Sequence, residues 1–178
     1  EFRRVLFRSA LAGQLGWPYR DNDELLAAVA GGSARALHQR LGADELHRLE
    51  AVSILGALGE ATSTVVSAAA SAIDDPGVLA PLTRPGVFVV WLQGPPRLLA
   101  ARLPTGPHRP SLAADVEVLL AGQLEERTPR YRAVADLVLD TTTATPEEVV
   151  AAIVAALPAS SDRDPGRPAA GSPPRGAC

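Results

Sequence analysis

Two rhythms of apolar residues alternate along the chain, and their alternation predicts the architecture. Short β-rich runs that are apolar on both faces occur at "TVVSAA" (Thr64 to Ala69), "VFVVWL" (Val87 to Leu92) and "ADLVLD" (Ala135 to Asp140). Strands of a parallel sheet read this way because helices cover both of their faces. "WPYRD" (Trp17 to Asp21) is a weaker fourth run, since Pro18 suits only a strand's first residues or an edge. Between the runs, apolar residues recur at three-and-four spacing over Asp23 to Ala30, Ala34 to Leu41 and Asp44 to Leu58, which predicts three helices. Pro95 to Leu103 opens with prolines suited to a first helical turn. "TPEEVVAAIVAAL" is the clearest helix: Thr145 caps it, Pro146 takes the first position, and Glu147 and Glu148 favour the positive end of the dipole. Strand and helix alternating at this spacing predict βαβ units, hence an α/β class with a parallel sheet between helical layers.

The two ends of the chain fall outside this pattern. Back-translated, "EFRRVLFRS" (Glu1 to Ser9) is the reading frame of a common sequencing-library adapter, so residues 1–9 are expected to be an adapter-derived or non-native segment that carries no weight in reading the fold. From Pro158 onward, 11 of 21 residues are Pro, Gly or Ser, too few apolar groups to offset the entropy of ordering. Residues 159–178 are therefore expected to form a disordered tail. The stretch between them, 10–158, is enough for one domain with a sizeable core.

Composition narrows the function. Apolar residues make up 47% and charged residues 21%, ordinary for a globular protein, and no apolar run approaches the length of a membrane span. A formal charge of -3 attracts no phosphate backbone, and 4% aromatic residues give no base-stacking platform, so nucleic acid is excluded as a partner. The single cysteine, Cys178, cannot close an internal disulfide, which sets a cytoplasmic location as the expectation. All 17 basic residues are arginine, so no Walker lysine lies within these 178 residues.

Candidate chemistry clusters after the predicted strands. Asp21 and Asp23 follow the first run in "YRDND". An acid pair beyond the carboxyl end of a strand can hold Mg²⁺ and accept a hydroxyl proton, while either acid also serves as a helix N-cap. His47 and Glu50, three apart in "DELHRLEA", share a helix face, as a binding pair or as a solvated flank. His38 and His108 show no metal-ligand spacing with His47, which leaves no histidine-built metal site. "GPHRPSL" (Gly106 to Leu112) is a Gly/Pro-bounded loop with an isolated arginine, Arg109, of the kind that closes over phosphates or simply lies on the surface. Arg127, Arg130 and Arg132 precede the last strand and read as an anion site or a solvated helix face.

Taken in order from Ala10 to Leu157, the chain resembles shikimate kinase, a family of P-loop small-molecule kinases. The matching blocks are "LAGQLGWPYRDND", "GADELHRLEA", "VVSAAASAIDDPGV", "VVWL", "HRPSLA" and, most specific, "LEERTPRYRAVADLVLDTTTATPEEVVAAI". The resemblance implies a three-layer P-loop kinase fold with family strand order 2-3-1-4-5. It also implies ATP and Mg²⁺ as cofactors, a small-molecule acceptor, a monomer, and ATP-dependent phosphorylation of a hydroxyl in aromatic amino acid biosynthesis. In that family a glycine-rich loop ending Gly-Lys-Ser/Thr cradles the nucleotide phosphates and runs into the first helix. "ALAGQLG" is similar to the end of that helix, and the adapter-like stretch occupies the loop's place. The family's first strand and phosphate loop are thus expected to be missing before Ala10, leaving a fragment that is inactive and metastable.

By the same resemblance Asp21 matches the acid near Mg²⁺, and Asp23 the acid that binds the acceptor hydroxyls and takes the proton. Arg127 matches the arginine that pairs with the acceptor carboxylate, and Arg109 the lid arginine that reaches the transferred phosphate. Two positions depart from the family. Its second carboxylate-binding arginine falls at His47, which lacks a bidentate fork, and Arg48 is turned about 100° away by one helical step. Its triple-glycine loop falls at Ala69, Ala70 and Ser71, whose Cβ atoms crowd a substrate near the backbone. The acceptor is therefore expected to be shikimate or another small polyhydroxylated molecule. Two alternatives stand beside it: a kinase of gluconate, because "VVSAAAS" is similar to the strand end of gluconate kinases, and a catalytically dead binding or regulatory module.

Overall fold

The computed structural model describes residues 2–102 and 113–158. Helix α1 spans Phe2–Leu15 and ends in a Schellman-type turn. Gly16 there takes a φ of 67°, its amide reaches Gly13, and the Trp17 amide donates to Ala12 at 3.0 Å. The left-handed glycine turns the chain straight into strand β1 (Tyr19–Arg20). Helices α2 (Asn22–Ala30), α3 (Ala34–Leu41) and α4 (Ala43–Leu58) come next, within a residue of the three predicted spans. After β2 (Val65–Val66) come a 3₁₀ turn (Ala70–Asp74), α5 (Pro76–Leu82), β3 (Val90–Gln93), α6 (Pro96–Arg102), α7 (Ala113–Val134), β4 (Leu137–Asp140) and α8 (Pro146–Ala156). Helix α8 opens as its sequence requires: the Glu148 amide donates to Thr145 Oγ1 at 3.2 Å and the Thr145 amide to Glu148 Oε2 at 2.8 Å.

The adapter-like segment continues helix α1. It is helical from Phe2 onward, and Phe7 packs against a buried cluster. It contains neither glycine nor proline, so once Ala10–Leu15 is helical each preceding residue adds a hydrogen bond without a second nucleation cost. The tail expected at 159–178 lies outside the described residues.

The parallel strands form two separate pairs. Tyr19 and Arg20 of β1 face Val65 and Val66 of β2, and Val90 through Gln93 of β3 face Leu137 through Asp140 of β4. No ladder joins β2 to β3 among the described residues. The ladders are shorter than the predicted runs because the partners run out. Pro18 lacks an amide proton and α2 begins at Asn22, so β1 offers two residues. Likewise α7 continues to Val134, and β4 starts only at Leu137. In a parallel ladder alternate residues turn their backbone groups to one neighbour. Val65 and Ser67 donate to Pro18 and Arg20, while Val89 and Gln93 accept from Leu137 and Thr141. The backbone groups of Val66, Val90 and Leu92 are thereby left facing the space between the pairs.

Helices cover both faces. On one side Leu11 of α1 and Val149, Val150 and Ile153 of α8 form a buried cluster on which Val65, Val90, Leu92, Leu137 and Leu139 all pack. Both half-sheets thus rest on one helical layer. On the other side Ala51 and Ile54 of α4, Ala72 of the 3₁₀ turn and Val78 of α5 bury Val66. Leu26, Leu37 and Leu46 make a third cluster that holds α2 and α3 against α4.

Candidate active site

The parallel register of β1 and β2 sets the residues after Arg20 beside those after Val66. Asp21, immediately after β1, is the N-cap of α2: its Oδ1 accepts from the Asp23 amide at 2.9 Å. Its Oδ2 accepts from the Tyr19 hydroxyl at 2.7 Å and lies 3.7 Å from Arg8 of the adapter-like segment. Burial, then the hydrogen bond to Asp21, raises the Tyr19 phenol above its usual pKa. Asp23, on the first turn of α2, is exposed, and its carboxylate has no hydrogen-bonding partner among the described residues. The N-cap role and a ligand role for Asp21 share one geometry, since both need an acid at the strand's carboxyl end.

After β2 the chain bends into the 3₁₀ turn without any left-handed residue. Ala69 sits at φ −65° and ψ 144°, and no residue other than glycine has a positive φ among the described residues. The positions that the family resemblance assigns to glycine have taken a conformation that side chains tolerate. Ser71 then donates to Glu50 of α4, a residue only 7% exposed. His47 is exposed, as the solvated-flank alternative has it, and Glu50 pairs with Ser71. Arg48 points out and pairs with Glu45 at 2.6 and 2.8 Å, which depresses the Glu45 pKa and raises that of Arg48.

Arg127 is 13% exposed and grips Asp74 at the end of the 3₁₀ turn, with Nη2 at 2.7 Å and Nε at 2.9 Å from Oδ2. Arg130 adds a third contact to Asp74 at 3.3 Å and lies 3.8 Å from Glu126. One turn on, Tyr131 donates its hydroxyl to the Ala70 carbonyl at 3.1 Å and stacks on Trp91 of β3, with centroids 4.9 Å apart and planes 15° from parallel. Burial holds the Tyr131 phenol above its usual pKa. Neither Asp74 nor Tyr131 was singled out by sequence reasoning, although "AIDDPGV" carried an acid pair and "RTPRYR" placed an aromatic between arginines.

Beyond β3 and β4 an open hollow of about 300 Å³ is lined by Pro95, Arg97, Leu98, Ala101 and Thr142. Arg102 braces its rim by donating to the Thr141 carbonyl at 3.0 Å, and Thr142 donates to Asp140, which lowers the Asp140 pKa. Arg109 lies outside the described residues. No group of three or more His, Cys, Asp or Glu side chains able to hold a metal occurs among the described residues. Mg²⁺ does not need one: it keeps most of its waters and is held by one or two carboxylates plus phosphate oxygens. A single acid at the Asp21 position therefore suits Mg²⁺, once Arg8 yields. No described helix is long and apolar enough to cross a membrane.

Known proteins resemble this chain in sequence and in fold. A family model described as shikimate kinase matches residues 8–158. The shikimate kinase of Xanthomonas euvesicatoria pv. vesicatoria is 34% identical over 150 residues, covering 84% of this chain and 82% of that protein. That of Corynebacterium glutamicum is 33% identical over 148 residues, covering 81% and 83%. Among solved structures, shikimate kinase from Acinetobacter baumannii in complex with shikimate superposes with a TM-score of 0.74 at 22% identity, covering 84% of this chain and 83% of that one. Shikimate kinase from Bacteroides thetaiotaomicron gives 0.71 at 19% identity, covering 84% and 89%. The fold is that of the P-loop kinases, with two parallel strand pairs between helical layers.

Proposed function

Because the chain belongs to the shikimate kinase family, we propose that it carries the acceptor half of an enzyme that uses ATP and Mg²⁺ to phosphorylate a hydroxyl of shikimate or a similar small polyhydroxylated metabolite. The observation that supports this reading is the register of β1 and β2. It sets the acids Asp21 and Asp23 and the Ala69–Ser71 turn at one end of a single strand pair, with Arg127 tied to the end of that turn. Asp23, exposed and unengaged, would take the proton of the acceptor hydroxyl as its oxygen bonds to the γ-phosphorus and the bond from that phosphorus to the bridging oxygen breaks, with ADP leaving. Asp21 would hold Mg²⁺, which would supply charge neutralisation at the phosphate oxygens. His47, Ala69, Ala70, Ser71 and Arg127 shape the acceptor site, and Arg109 reaches the transferred phosphate and the nucleotide. Shikimate and ATP are thus the small-molecule partners, acting on a cytoplasmic monomer.

The 178 residues alone are inactive on this reading. They contain no lysine, and losing one preorganised donor to the migrating charge costs about 3–4 kcal/mol of transition-state stabilisation. The test is acceptor-dependent ADP release by the chain as it stands and by a version carrying a strand and a Gly-Lys-Thr loop in place of residues 1–9. Shikimate-dependent release by the second protein alone is expected, with Asp23→Asn lowering it about 10²–10⁴-fold. Release with gluconate but not shikimate, or with no acceptor at all, overturns the reading.

A further inference from the structure

We propose that the gap between the two strand pairs is a preformed docking slot for one further strand: an apolar, extended peptide that lies parallel to β2 and β3 and hydrogen-bonds to both. The slot follows from the fold alone and stands apart from the acceptor reading above. On the β2 side Val65 and Ser67 spend their amides on β1, which leaves the amide and carbonyl of Val66 turned the other way. On the β3 side the carbonyls of Val89 and Gln93 go to β4, which does the same for the backbone groups of Val90 and Leu92. None of these residues finds a backbone partner across the gap among the described residues. Unpaired groups along a strand's edge are a template for another strand, and here two such edges border one gap.

The slot has a floor and a roof. The α1–α8 cluster receives Val65 from one side of the gap and Val90 and Leu92 from the other, so it runs beneath. On the opposite face Tyr131 reaches from its stack on Trp91 to the Ala70 carbonyl, and so spans the gap beyond the carboxyl end of β2. Both faces of the half-sheets are covered, yet Val65, Val66, Val90 and Leu92 all stay half-buried, because water reaches them edgewise. An occupant must therefore be apolar on both faces, as a strand between helical layers is, and free of proline, since its amides serve both edges. The connection from β2 to β3 passes through α5, the kind of crossover that joins parallel strands, and this fixes the occupant's direction. Its carboxyl end emerges beside Asp21 and the Ala69–Ser71 turn. No described strand can serve: β1 carries Arg20, β4 ends in Asp140, and both are already paired. Residues 103–112 are interrupted by Pro104, Pro107 and Pro110, and residues 159–178 contain no Val, Ile, Leu or aromatic residue. The occupant is a strand from outside these 178 residues.

Hydrogen exchange of the 178-residue chain, read residue by residue by NMR, tests the slot with a synthetic peptide that carries a run of about five alternating valines and isoleucines between solubilising arginines. The control peptide is N-methylated at alternate residues of the run, which keeps every side chain and removes the donors along one edge. In the free chain the amides of Val66, Val90 and Leu92 are expected to exchange at least about tenfold faster than those of Val65 and Trp91, which lie in the ladders. Saturating peptide is expected to slow the faster set at least about tenfold, and the control less than about twofold. Equal protection of both sets in the free chain means that the gap is closed, by direct pairing of β2 with β3 or, where protection grows with protein concentration, by a second copy, and either overturns the proposal. Equally fast exchange of both sets means that no slot is preformed and overturns it too. Equal slowing by both peptides would show adhesion to apolar surface in place of strand pairing, and no slowing by either would show that the slot admits no strand; each sinks the proposal. None of these outcomes touches the acceptor reading, which acceptor-dependent ADP release tests separately.

Discussion

The two half-sheets are held in place by different forces. The β1–β2 pair has only two residues in each strand, yet the turn after it is laced by side-chain bonds from Ser71 to Glu50 and from Arg127 and Arg130 to Asp74. The β3–β4 pair has four-residue ladders and rests on apolar packing, with side-chain hydrogen bonds at its two ends, from the Val89 amide to Asp136 and around Asp140, Thr141 and Arg102. A longer ladder fixes its own strands through the backbone. A two-residue ladder fixes little, and the position of the loops beyond it falls to side chains. The pairs meet through the shared α1–α8 layer and through Tyr131, which stacks on β3 while bonding to the turn after β2.

The sharpest way to break this comparison is to weaken the support that the pairs share. Ile153 is 3% exposed, in the cluster that receives residues of β2, β3 and β4. Ile153→Ala is expected to cost about 3 kcal/mol and to lower Tm by roughly 6–12 °C. Hydrogen exchange at Val65 and at Trp91 should accelerate together. Ile54→Ala, an equal truncation in the α4 cluster, should loosen the β1–β2 side first. Identical exchange profiles for the two variants would show that the half-sheets do not differ in how they are held.

Legibility in the sequence divides along the same line. Helices α2, α3, α4, α6 and α8 were readable because three-and-four spacing, the Asp21 and Thr145 caps and the prolines at helix starts are local signals, whereas α7 was read only as a stretch of arginines before a strand. The strands were readable as elements but not in length, since "TVVSAA" looks like six residues of strand and only its partner limits it to two. Helix α5 was hidden, because Gly77 and Pro81 in "PGVLAPL" weaken a helical pattern that the Asp75 cap and Pro76 nevertheless begin. In the site, the acids after β1 were visible from their place beside a strand end. Asp74 and the inward turn of Glu50 were not, because their partners lie 53 and 21 residues away and only tertiary packing brings them together.

A smaller effect tests the polar network on the β1–β2 side. Arg127→Ala strands the Asp74 carboxylate, which is 31% exposed, with Arg130 alone, and is expected to cost about 2 kcal/mol. Arg130 is 38% exposed, and Arg130→Ala leaves the two short bonds of Arg127 intact, so its cost should stay below about 1 kcal/mol. Denaturant midpoints of the two variants measure the difference. Equal costs would mean that Asp74 is held by net charge, not by the fork of Arg127.

The smallest effect concerns the clasp between the half-sheets. Tyr131→Phe keeps the stack on Trp91 and deletes the hydrogen bond to Ala70, a loss of about 0.5–1 kcal/mol near neutrality. The dependence on pH makes the test specific. Burial raises the folded-state pKa of Tyr131 above its ordinary value of 10.0, so above that pH the unfolded chain surrenders the proton first. The folded state then binds more protons than the unfolded one, and stability falls with rising pH. The contribution of Tyr131 is thus complete below about pH 10 and is lost as pH climbs through the folded pKa. Phenylalanine has no such proton, so the gap between the two proteins should narrow from about pH 8 to about pH 11 in urea unfolding. Parallel pH profiles would place the Tyr131 ring in open solvent, and with it would go the only side-chain bridge from β3 to the turn after β2 among the described residues.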